Sequence, residues 1–496
     1  MAQNIFALLR SETFSCTSAI VRKRNSGRLT GFIGTLLLAA IIVSACGTAS
    51  PAPVLTSSPP TVTTTAVAAS ASTPTITPTR PAPIKIDASA LKGLNIRVWH
   101  ALAGSSFDVF NRQVEQFNFT NEWGLKISPT GFGDYTSLFD AVGAFQGAGQ
   151  LPDLVIALPE QVLAWDAAGE VVDLNPYLQD PAWGMGSAAL ADIPAEFMAE
   201  ANIDGRQLGL PAERTVRVLY YNKTWAHALG FNHPPATSAE FRQQACAANA
   251  SFLKDNDPQN DSYGGWAVDT DWQTSYSWLL AFGGSVVDGK DYSFRTDANL
   301  AALQFLKGLY DDHCAWLPFE PVTFNSYDAF AKRSALFVSG DLAELPQAAA
   351  SMSLLKNSDE WEIIPFPGPQ KSVLVDYGPS YSLLKSTPEK QLAAWVFVRW
   401  LLSPENQAQW VEATGLLPLR GSLMNLLGSY KAASPQWELA AGELDLAEAV
   451  PQLASWRKVR YVLEDGLATV FQSNTPVAKL PSILAEMDST AQELNK

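Results

Sequence analysis

From Ile84 to the C-terminus, apolar residues recur with two alternating periods. LNIRVW, at 94–99, predicts a strand, and the stretch after it places Phe107, Phe110, Val114 and Phe117 on one helical face. LKISPTGF and YTSLFDAVGAF repeat the pair, and LPDLVIALPEQVLAW is a short apolar strand running into a third helix. Strand and helix in alternation imply an α/β fold with a parallel sheet. Ligands of such sheets sit beyond the carboxyl ends of the strands, which makes 99–106 and 157–161 candidate site-lining segments. Further on, PAERTVRVLYYN carries an alternating strand signal, and PPATSAEF opens a helix that Thr237 or Ser238 can cap, with Glu240 near the third position. WQTSYSWLLAFGGSVV gathers aromatic residues before a Gly-Gly turn. STPEKQLAAWVFVRWLLSPENQAQWVEATG predicts two helices broken at Ser403-Pro404. Ser386 or Thr387 caps the first, whose buried face carries Ala394, Phe397, Val398 and Leu401. The chain beyond Trp437 reads as mostly helical.

Before Ile84 this periodicity is missing. A basic cluster ending at Arg28 leads into an uncharged apolar run, Leu29 to Ala45, the layout of an export signal. The run ends in Val43-Ser44-Ala45-Cys46-Gly47, which resembles a bacterial lipobox, so residues 1–45 are expected to be removed and Cys46 to carry the lipid that anchors the chain. Residues 47–83 hold 8 Pro, 10 Thr, 5 Ser and 7 Ala with no aromatic residue, too little apolar surface to offset the entropy of ordering. The lipidated Cys and a tether are therefore expected over 46–88.

Composition then narrows the class. At 496 residues the chain calls for more than one packed unit. Hydrophobic residues at 47% and charged residues at 17% exclude global disorder and a nucleic-acid partner. Five of the 34 cationic residues and one of the 49 acidic ones fall in 1–45, so the formal net charge of −15 becomes 29 against 48, or −19, without that leader. Of four Cys, Cys16 leaves with the leader and Cys46 is acylated. Cys246 and Cys314 remain in an oxidising space, either as a disulfide or as two buried thiols. No GxSxG, Walker-type or HExxH motif is present, and His100, His227, His233 and His313 lack metal-ligand spacing. Neither an enzyme nor a metal or cofactor is expected.

Taken in order, IRVWHALAG, QLPDLVIALPEQ, LPAERTVRVLYYNKTWAHALGFNHPPATSAEF, LLAFGGSVV and AAWVFVRWLLSPENQAQWVEATGLLPLR resemble extracellular solute-binding proteins of the maltose-binding type, over nearly everything from Leu94 to the C-terminus. The resemblance implies a two-lobe periplasmic-binding-protein fold of α/β class, with an interlobe ligand cleft and several hinge crossings, near 210–215 and 377–381. It puts the amino lobe at 89–211 plus 382–428 and the carboxy lobe at 216–376 plus 429–496. It also implies a monomer that passes a small solute, a sugar or sugar derivative, to the permease subunits of an ABC importer. Held by lipid on Cys46, such a receptor works on the outer face of the bacterial cytoplasmic membrane. A sensory lipoprotein would share the same fold and cleft.

By position in that family's motifs, the resemblance implies ligand contacts from His100, Ser105, Tyr135, Glu160, Gln161, Glu213, Arg214, Trp272, Tyr276, Gly340, Asp341, Tyr377, Tyr381 and Arg420. Aromatic rings suit the C–H faces of a sugar and carboxylates its hydroxyls. Arg214 and Arg420 could instead grip the anionic group of a glycerophosphodiester or a sugar acid. Many sugar-binding members carry a stacking Trp in the loop matched by FVSGDL; here Leu342 follows Gly340-Asp341, leaving Trp266, Trp272 or Trp278 to supply a ring.

Overall fold

The computed structural model describes residues 83–147, 149–318 and 324–496, all within one compact unit that begins at Thr77. The leader, Cys46 and most of the expected tether lie outside the described residues.

The first three strand–helix pairs form close to where the periodicity places them. They are β1 (Asn95–His100), α1 (Gly104–Thr120), β2 (Lys126–Gly131), α2 (Tyr135–Phe145), β3 (Leu154–Ala157) and α3 (Pro159–Ala167). β1 pairs in parallel with both β2 and β3. The chain then reaches β4 (Leu210–Pro211) and passes directly into β5 (Thr215–Asn222).

A second group follows: α4 (Ser238–Phe252), β6 (Trp266–Ala267), α5 (Trp272–Ala281), α6 (Asp297–Asp311), β7 (Ala315–Trp316), β8 (Phe337–Asp341), β9 (Trp361–Ile364), β10 (Phe366–Pro367) and β11 (Ser372–Tyr377). Thr237 caps α4, accepting the Glu240 N–H at 3.2 Å, while the Glu240 carboxylate accepts the Ala236 N–H at 2.8 Å. Cys246 and Cys314 form a disulfide within this group. β12 (Ser380–Leu383), α7 (Pro388–Leu401) and α8 (Pro404–Thr414) come next, with Thr387 capping α7, and then β13 (Ala447–Ala449), α9 (Trp456–Val470) and α10 (Leu480–Leu494).

Two sheets result. The first runs β2-β1-β3-β12-β4, with β12 antiparallel to β3. The second runs β7-β6-β8-β5-β11-β10, with β9 beside β5 and β13 beside β11. The alternation in PAERTVRVLYYN predicts a strand, and all eight residues of β5 are buried. β5 lies inside the second sheet, where both faces are covered, and its polar Arg217 and Asn222 are taken up by buried partners.

The segments joining the sheets run side by side. Pro211 is in register with Ser380 in the first sheet and Thr215 with Tyr377 in the second. Between them the amide N–H groups of Ala212 and Glu213 both point to the Pro379 carbonyl. Gly378 is required at this approach, because a Cβ there would lie 2.1 Å from the Glu213 carbonyl oxygen. A third strand of chain crosses where the Leu417 N–H reaches the Arg214 carbonyl at 2.8 Å.

Candidate functional site

A cavity of about 460 Å3 opens where these crossings meet the two sheets. The first lobe contributes Tyr135, at the start of α2, and Leu158, just before α3. The crossings contribute Glu213, Thr215, Tyr377, Gly378, Pro379 and Leu416. The second lobe contributes Asp271, Trp272 and Gln273 from the start of α5, and Arg460, Tyr461 and Glu464 from α9.

Its walls are aromatic. Trp272 packs edge-on against Tyr377 at 5.4 Å and Trp456 at 5.7 Å, which fixes the orientation of its ring. Gln161 is a positioning residue: its side-chain carbonyl accepts the Leu158 N–H at 3.2 Å, and its amide donates to the Tyr135 carbonyl at 2.5 Å.

The charges are mixed. Burial pushes the Glu213 carboxyl up to about 7, although Ser106, Trp410 and Arg214 pull it down. Burial likewise raises Glu160, second residue of α3, against the pull of Arg460. Arg460 donates to Glu160 at 2.9 Å, and its guanidinium lies 5.8 Å from the Trp272 ring centre and 5.3 Å from that of Tyr461. Rigid aromatic faces, carboxylates and one guanidinium around an open space suit a polyhydroxylated solute.

The model of the bacterial extracellular solute-binding protein family matches residues 113–436. The chain belongs to that family. A periplasmic sn-glycerol-3-phosphate-binding protein of Yersinia pestis is 21% identical over 433 residues, covering 82% of this chain and 94% of the relative. The sugar-binding protein MalE of Xanthomonas citri superposes with a TM-score of 0.68 at 20% identity, covering 81% of this chain and 97% of that one. UgpB of Mycobacterium tuberculosis, solved with glycerophosphocholine, gives 0.65 at 17% identity, covering 80% and 98%. These likenesses establish the two-lobe fold of solute-binding proteins, and the family is one of receptors, not enzymes.

In this solute-binding protein the expected contact residues divide into three groups. Tyr135, Glu213, Trp272 and Tyr377 line the cavity, and Glu160 and Gln161 stand directly behind it. Others support it from within. Arg214 is buried, bonded to the Glu213 and Pro379 carbonyls at 2.6 and 2.8 Å and paired with Glu200 at 2.6 Å and Asp376 at 3.8 Å, so it clamps the crossings. Tyr381 is buried in the first sheet, and burial with the nearby Glu213 raises its phenol. Tyr276 lies a turn beyond Trp272, against Trp456. Gly340 lets the Tyr327 hydroxyl come within 2.1 Å of where a Cβ would be, and Asp341 pairs with Arg217 at 2.9 Å.

The third group is not brought to the cavity. His100 is buried against Phe107 and Phe110, accepts the Leu102 N–H through Nδ1, and is driven down to about 4 by desolvation. Ser105 is exposed at the start of α1; its neighbour Ser106 is the residue beside Glu213. Arg420 lines a separate cavity of about 530 Å3 on the first lobe and pairs with Asp192 at 3.3 Å. Trp266 and Trp278 are wholly buried in the second lobe, so Trp272 alone of the three offered indoles reaches the cavity. Arg460, Tyr461 and Glu464 were outside the expectation. Their only signal is their spacing, since the first and last are four residues apart and share a face of α9. No group of His, Cys, Asp or Glu among the described residues could hold a metal ion, and none of their helices is long and apolar enough to cross a membrane.

Proposed function

We propose that this chain is a lipid-anchored receptor that captures a carbohydrate or a closely related polyol outside the cell and delivers it to the permease subunits of an ABC transporter. The observation that carries this reading is the cavity between the lobes, where Trp272, Tyr135 and Tyr377 supply faces and Glu213 and Glu464 supply acceptors. The lobes are taken as 89–211 with 382–428 and 216–376 with 429–496. Solute contacting both lobes favours the closed arrangement by its greater affinity for that form. The lipobox at Cys46 and the tether to residue 88 would hold the receptor at the outer face of the membrane as a monomer.

Arg460 favours a second reading within the same class, an anionic polyol such as a glycerophosphodiester or sugar acid, because a guanidinium between two aromatic faces suits a phosphate or carboxylate. The relatives named for sn-glycerol 3-phosphate and glycerophosphocholine agree with it.

Calorimetric titration with maltodextrins, glycerophosphodiesters and sugar acids tests both readings. Saturable binding accompanied by a smaller radius of gyration is expected; absence of binding across the panel would remove the assignment.

A further inference from the structure

The guanidinium in the cavity already holds an anion belonging to the protein. Glu160 comes from α3 in the first lobe and Arg460 from α9 in the second, and the pair joins them across the cleft at 2.9 Å. The side chains are 3% and 13% exposed, so water screens the contact poorly. One turn earlier, Arg457 lays its guanidinium 4.4 Å from the centre of the Phe139 ring of α2, a second bridge from the same helix to the first lobe.

Arg460 is nevertheless far from saturated. Its single hydrogen bond is through Nη1, and Nε is buried with no partner. A planar fork that can bind an oxyanion through two parallel N–H groups is thus engaged through one. Arg214 differs at its Nη atoms: its Nε also lacks a hydrogen bond, but both Nη atoms have partners, including two carbonyls and a carboxylate.

We propose that Glu160 is a specificity-determining residue, an internal counter-anion that a solute must displace from Arg460, and that the solute class able to do so is an anionic polyol. This rests on the receptor reading and narrows it. A neutral sugar offers hydroxyls, which cannot compensate a buried guanidinium for the loss of a carboxylate. A phosphate or sugar carboxylate offers two oxygens in the fork's own geometry and replaces one charge-assisted contact with two. The released Glu160 stays within the site and accepts hydroxyls of the same solute. In the unliganded chain the pair draws the lobes together, so removing it should open them.

The test uses the full chain in detergent micelles, titrated with sn-glycerol 3-phosphate, glucuronate and maltose, with small-angle scattering of the unliganded forms. Glu160→Gln is expected to tighten at least one of the two anions by about tenfold relative to maltose, and to expand the unliganded chain. Glucuronate alone tightening assigns a carboxylate, sn-glycerol 3-phosphate alone a phosphate. Arg460→Gln is expected to lose that anion by tenfold or more. The charge-swapped double variant, Glu160→Arg with Arg460→Glu, should regain the compact form without regaining the anion, which separates a lost latch from a damaged fold. Unchanged or weaker anion binding in Glu160→Gln overturns the proposal. Tight maltose binding with no anion bound by any form overturns it too, and leaves the receptor reading in place. Absence of all binding overturns both.

Discussion

The crossings and helix α9 each bring one arginine to the cleft, and the two are used oppositely. Arg214 is buried with Glu200 and Asp376 around it and carbonyls of two crossings on its Nη1. Burial raises both carboxyls, Asp376 to about 6, so the cluster depends on the one guanidinium for its compensation. Arg460 is only partly buried, has one hydrogen bond and looks onto open space between two rings. Proximity to a cleft therefore does not identify a ligand-binding charge. What identifies it is how many of its donors the protein leaves for something else.

The strongest way to break this contrast is to remove each charge in turn. Arg214→Met leaves Glu200 and Asp376 buried without their partner and should cost about 3–5 kcal/mol of folding stability. Arg460→Gln should cost less, about 1–2 kcal/mol, since it leaves a neutral donor beside the buried Glu160 and loses a single charge-assisted bond. Urea denaturation measures both. Equal losses would mean that the two arginines do the same job.

The crossings can be probed again through Gly378. Gly378→Ala puts a methyl carbon against the Glu213 carbonyl, and separating the two segments should cost about 1–3 kcal/mol. Solute affinity should fall with it, because Glu213, Thr215 and Tyr377 ride on those segments. A stability loss with unchanged affinity would uncouple the crossings from the site.

The sequence showed the crossings more clearly than it showed α9, for a physical reason. Strands and helices whose apolar period matches a single buried face, such as β1 with α1, are readable from local pattern, and the Thr237 and Thr387 caps are local as well. Tyr135, Glu213, Trp272 and Tyr377, which line the cavity, were legible because each sits at an element end inside a motif of the family. Arg460 sits within a helix whose amphipathic pattern explains it as a solvated face, and only the tertiary approach of α3 reveals its partner, 300 residues away. His100 and Arg420 went the other way. Their positions matched the motifs, but His100 faces the packed ring of Phe110 and Arg420 faces Asp192. The continuous burial of β5 was hidden because alternation reports one buried face and a central strand has two.

A smaller effect separates the aromatic residues. Trp272→Ala should weaken solute binding by about tenfold through loss of the stacking face, while Arg420→Ala, in its separate cavity, should leave the affinity alone. Tryptophan fluorescence can follow the second variant, and calorimetry serves for both. A matching loss in Arg420→Ala would show that the first-lobe cavity communicates with the cleft.

A last effect concerns protons at the crossing. Glu213 is raised from 4.5 to about 7 in the folded chain, chiefly by burial, so the folded state holds a proton that the unfolded state releases near pH 4.5. Its contribution to stability is then fully present below pH 4.5 and is lost as the pH rises through about 7. Asp376 titrates in part of the same window, so the comparison must be made against Glu213→Gln and not on the native chain alone. Between pH 5 and pH 8, urea denaturation of the unliganded chain should show its stability falling relative to the Gln variant by at most about 2.5 kcal/mol. A constant difference over that range would mean that Glu213 stays charged in the fold. The crossing would then present the cavity with a full negative charge opposite Arg460, and an anionic solute would meet repulsion at one wall and attraction at the other.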